Sequence, residues 1–132
     1  MSPEPGFTDF ETGYAKGLSQ LVWTRLIDDL ETPVSAYLKI AKGEPYAFLF
    51  ESVEGGAWRG RYSVIAMKPD LVWRCHGDQA EIAEGKAISE GRFTPQSGGA
   101  LNSLRDLVAS SRLDMPEGLP PMAAGVFGAI GY

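Results

Sequence analysis

The chain has 132 residues, 44% hydrophobic and 22% charged, an ordinary globular composition with enough apolar material for one packed domain. Twelve Lys and Arg against 17 Asp and Glu leave a net charge of -5, which argues against a nucleic-acid-binding module or a polybasic membrane binder, both built on concentrated positive charge. No run of about 20 apolar residues is present to cross a membrane. The first residues, Met1-Ser2-Pro3-Glu4-Pro5, lack the basic and apolar regions of a secretory signal, and a single cysteine, Cys75, fits a reducing compartment. The expectation is one cytoplasmic domain.

Taken in chain order, Thr8-Asp9-Phe10-Glu11 has the spacing of a capping box. It predicts a short helix from about 9 to 16, with Phe10 and Tyr14 on one face and Gly17 as its stop. QLVWTRLI at 20–27 is rich in strand formers and predicts a strand. Thr32 as N-cap and Pro33 at the first helical position open a helix that ends at Gly43. Its stripe is Val34, Tyr37, Leu38 and Ala41. Strand patterns follow at 46–52, 61–67 and 71–76, and the Gly77-Asp78 turn leads into QAEIA at 79–83. Together they predict an antiparallel meander. Residues 89–99 read as a loop, and Leu101, Leu104, Leu107, Val108 and Ser111 predict a second amphipathic helix. Met122–Tyr132 is apolar, Gly-rich and uncharged. Such a stretch suits either a strand docked in the sheet or a cut beside a buried strand of a longer protein.

Chemistry-bearing residues are few. His76 and Cys75 are neighbours in a predicted strand, so their side chains point to opposite faces and cannot share a metal or act as nucleophile and base. Asp28 and Asp29 lack a second acidic cluster at ligand spacing and read as a solvated loop before the Thr32 helix. The glycines of 55–60 mimic a phosphate loop, but Arg61 and Tyr62 stand where Lys and Ser/Thr are needed, and a strand pattern follows. One grouping has a recognisable chemistry. The apolar strand Leu49-Phe50 delivers Glu51 and Ser52 to its end, and a Gly-rich turn brings back Arg59, Arg61, Tyr62 and Ser63. Such groups suit a small zwitterion, with a carboxylate for its ammonium, a guanidinium for its carboxylate and apolar surface for its side chain. A cross-strand Glu51–Arg61 pair, with Ser52 capping a turn, is the purely structural alternative.

At these residues the chain resembles a known family. DLETPVSAYLKIA (29–41), LFESVEGGAWRGRYSVIAMKPDLVWR (49–74) and AAGVFGAIGY (123–132) are similar to the N-terminal region of anthranilate synthase component I. The block FESVEGGAWRGRYS is specific, although the family usually has leucine at Phe50 and glycine at Ala66. The resemblance implies an α+β fold, here an antiparallel meander with two to three helices, as part of a larger enzyme cored by a β-sandwich. It implies that residues 1–132 are the N-terminal regulatory domain, truncated before the chorismate-binding catalytic portion. It further implies an enzyme that makes anthranilate and pyruvate from chorismate, with Mg2+ and with ammonia from a glutamine amidotransferase partner, and no cofactor in this segment. L-Tryptophan would be the feedback effector. The family's effector motif falls on Phe50, Glu51 and Ser52, and its basic position on Arg61, with Arg59 the alternative. No catalytic residue or metal ligand of the family is expected here, and no nucleic-acid or membrane partner. Two other readings are the matching region of aminodeoxychorismate synthase component I and a stand-alone amino-acid-binding module.

Overall fold

A computed structural model of the chain describes residues 2–51, 62–120 and 122–131. The described residues form an α+β fold of helices and antiparallel strands, as expected from the sequence. The chain divides into two compact units, one of Met1–Leu26, Cys75–Ala80 and Pro95–Tyr132, the other of Ile27–Arg74 and Glu81–Thr94.

In the first unit, helix α1 spans Phe7–Ala15. The capping box predicted from Thr8 and Glu11 does not form. The helix starts earlier, after Gly6, so Thr8 is already inside its first turn and makes no side-chain cap; its carbonyl instead accepts the Thr12 hydroxyl at 2.9 Å. The predicted stop is real. Gly17, at φ +68°, donates to the Tyr14 carbonyl, and Leu18 donates to that of Gly13, the double bond of a Schellman ending that only a left-handed residue accommodates without strain. Phe10 and Tyr14 stack with centroids 5.9 Å apart.

The strand predicted over 20–27 is absent. Trp23 alone bridges to Glu4, with N–H to carbonyl distances of 2.7 and 2.8 Å. The partner stretch ends at once because Gly6 caps α1, and a strand-forming sequence with nothing to pair along stays irregular. At the far end of this unit, helix α4 spans Ala100–Ser110 and buries Ala100, Ser103 and Leu107. Described residues 122–131 form no strand, so the apolar C-terminal stretch is not docked as one.

In the second unit, helix α2 covers Pro33–Ile40. Thr32 caps it as predicted and Pro33 opens it. The Thr32 hydroxyl accepts from the Ser35 N–H at 3.1 Å, while the Ser35 hydroxyl accepts from the Thr32 N–H at 2.9 Å. Serine thus plays the part that glutamate or glutamine has in the usual capping box. Strands β1 (Phe48–Glu51) and β2 (Ser63–Ala66) pair antiparallel, and α2 packs against both. Of the predicted helix stripe only Ala41 is fully buried; Val34 and Leu38 remain half exposed.

Strands β3 (Leu71–His76) and β4 (Gln79–Glu84), joined by the Gly77-Asp78 turn, form a separate sheet with the two-residue β5 (Thr94–Pro95), in the order β3-β4-β5. A one-turn helix α3, Lys86–Ser89, follows β4. The expected single meander is therefore two sheets. The break is local: Lys68 sits at φ +52° and Pro69 has no N–H to donate, so ladder pairing cannot run on from β2 into β3. The span read as one loop, 89–99, contains β5.

The core is thin. Among the described residues the buried apolar side chains are Ala41, Ala80, Ala83, Ala100 and Leu107. Among the described residues, large apolar side chains such as Leu26, Ile27 and Leu30 stay open to solvent.

Candidate effector-binding site

The β1–β2 ladder positions the zwitterion-suited residues. Its register pairs Phe48 with Ala66, Leu49 with Ile65, Phe50 with Val64 and Glu51 with Ser63. Side chains alternate along a strand and directly opposite residues share a face. Leu49, Ile65, Glu51 and Ser63 therefore stand on one face, and Phe48, Phe50, Val64 and Ala66 on the other. The rings of Phe48 and Phe50 confirm the second set, with centroids 4.6 Å apart and planes tilted by 42°.

Of the four predicted site residues, Phe50 and Glu51 are placed here, on opposite faces of β1. Ser52 and Arg61 lie outside the described residues, as does Arg59. The residue registered opposite Glu51 is Ser63, not Arg61. Ser63 belonged to the same sequence grouping, but only the register shows that it is the one facing Glu51. Glu51 and Ser63 are both exposed, at the end of the ladder that leads into residues 52–61. A carboxylate and a hydroxyl beside an aliphatic pair can hold a charged, partly apolar small molecule.

Cys75 and His76 are exposed neighbours on β3. The Asp28 carboxylate accepts the Leu30 N–H at 3.1 Å in the approach to α2. The next described element after the Gly-rich sequence is the strand β2, where a phosphate loop needs a helix. Among the described residues no three His, Cys, Asp or Glu side chains converge as metal ligands, and no helix is long and apolar enough to cross a membrane. In the first unit a cleft of about 380 Å³ is lined by Glu4, Leu21, Trp23, Asp114 and Glu117 among others, and holds none of the predicted site residues.

Among the described residues, charged and polar side chains also cluster at the start of α2. Glu31 accepts from Lys39 and from the Ser35 hydroxyl. These two hydrogen bonds, Lys39 first, hold its carboxyl below the usual carboxylate range.

No family model matches the chain, and no solved structure matches it significantly. Curated sequences do. The chain is 49% identical over 126 residues to anthranilate synthase component 1 of Cereibacter sphaeroides, covering 96% of this chain and 25% of that protein. It is 37% identical to the protein of the same name from Synechocystis, covering 97% and 24%. With that from Arthrobacter globiformis it shares 33% identity, covering 97% and 23%. The chain spans about a quarter of the length of the curated relatives it matches. Similarity runs along almost the whole chain in all three: over the region they share, this chain is similar to anthranilate synthase component 1.

Proposed function

We propose that this chain is the N-terminal regulatory region of an anthranilate synthase component I and carries much of its L-tryptophan feedback site. The observation that carries the reading is the near-complete coverage of the chain by relatives of that name. In this reading the whole cytoplasmic enzyme converts chorismate to anthranilate and pyruvate, with ammonia delivered by a glutamine amidotransferase partner. The chemistry belongs to the portion of the protein beyond these 132 residues. Mg2+ serves that chemistry in the full-length enzyme.

What this region does is recognise the effector. The α-ammonium of tryptophan is held by Glu51, its carboxylate by Arg61 and the Ser52 hydroxyl, and its indole by apolar surface beside them. Binding at a site distinct from the chemistry lowers activity through a coupling free energy between the two. The test uses the full-length enzyme with Glu51→Ala or Ser52→Ala. Removing one hydrogen bond to a charged group costs about 1.5–3 kcal/mol, so the inhibition constant for tryptophan rises about 10- to 150-fold. Inhibition curves for both variants superimposable on the parent curve refute the assignment.

A further inference from the structure

We draw no further inference here: the strongest candidate, the cleft of the first unit lined by Glu4, Trp23, Asp114 and Glu117, is a set of exposed carboxylates beside one partly buried indole, and nothing in the structure points to a ligand for it.

Discussion

Helix α4 has no cap of its own, and the structure shows what replaces one. Gly99 at its N-terminus carries no side chain, and the Ala100 N–H instead donates at 2.8 Å to Oδ1 of Asp78, 22 residues earlier in the β3–β4 turn. The carboxylate satisfies an orphan helix amide and places negative charge at the positive end of the helix dipole. Removing a capping side chain costs about 0.5–2 kcal/mol, and a charge at a helix N-terminus contributes about 0.3–1 kcal/mol. Asp78 is exposed, which favours the lower half of these ranges, so Asp78→Ala should cost about 1–2 kcal/mol. Asp78→Asn keeps an acceptor and loses the charge, and should cost about 0.3–1 kcal/mol. A second perturbation reports on the same contact. A Cβ built at Gly99 lies 2.9 Å from both Asp78 carboxylate oxygens, on a backbone at φ +83°. Gly99→Ala therefore suffers a clash and left-handed strain together, and in an Asp78→Ala background only the strain remains. Urea unfolding of the four proteins of this cycle measures both quantities. Expected is a smaller cost of Gly99→Ala when Asp78 is absent. Additive costs, or an Asp78→Ala curve that overlays the parent, would refute the cross-element cap.

Two further outcomes are expected. Because the Glu31 carboxyl titrates below its usual range when folded, its contribution to α2 is complete above the unfolded carboxylate pKa and is lost as pH falls through the depressed folded value. Amide chemical shifts of α2 should show fraying on acidification, and Glu31→Gln should remove that pH dependence; an unchanged profile in the variant rules the interaction out as its source. The isolated chain should self-associate, since Leu30 is 93% and Ile130 92% exposed, with Val34, Leu38 and Val126 about half exposed. Sedimentation velocity of the parent and of Val34→Glu/Leu38→Glu measures this, and a parent that remains monomeric at every concentration contradicts it.

Features governed by neighbouring residues were legible in the sequence. The Thr32-Pro33 start of α2, the β3 span of 71–76, the Gly77-Asp78 turn and the Gly17 stop all lie where the pattern predicts. Each rests on a cap, a proline or a turn residue acting within one or two turns of chain. The apolar stripe of α2 was legible too, although Val34 and Leu38 on it stay open, because periodicity identifies a face without supplying what covers it. The alternation rule that separates Cys75 from His76 also applied to Phe50 and Glu51, so their opposite faces were available from the strand pattern alone.

Other features waited on the tertiary structure. Residues 20–27 have strand composition, yet pairing needs a partner of matching length, and α1 starts too soon after Glu4 to leave one. The capping spacing at Thr8 was real, but the helix began ahead of it at Phe7. The pairing of Glu51 with Ser63, and the reach of Asp78 to Ala100, join residues 12 and 22 positions apart. The α+β class, the local starts and stops and the family resemblance could all be read from the residue pattern. Which strands share a sheet and which side chains face each other emerged only on folding, because register is a long-range choice among alternatives that local propensity leaves nearly equal.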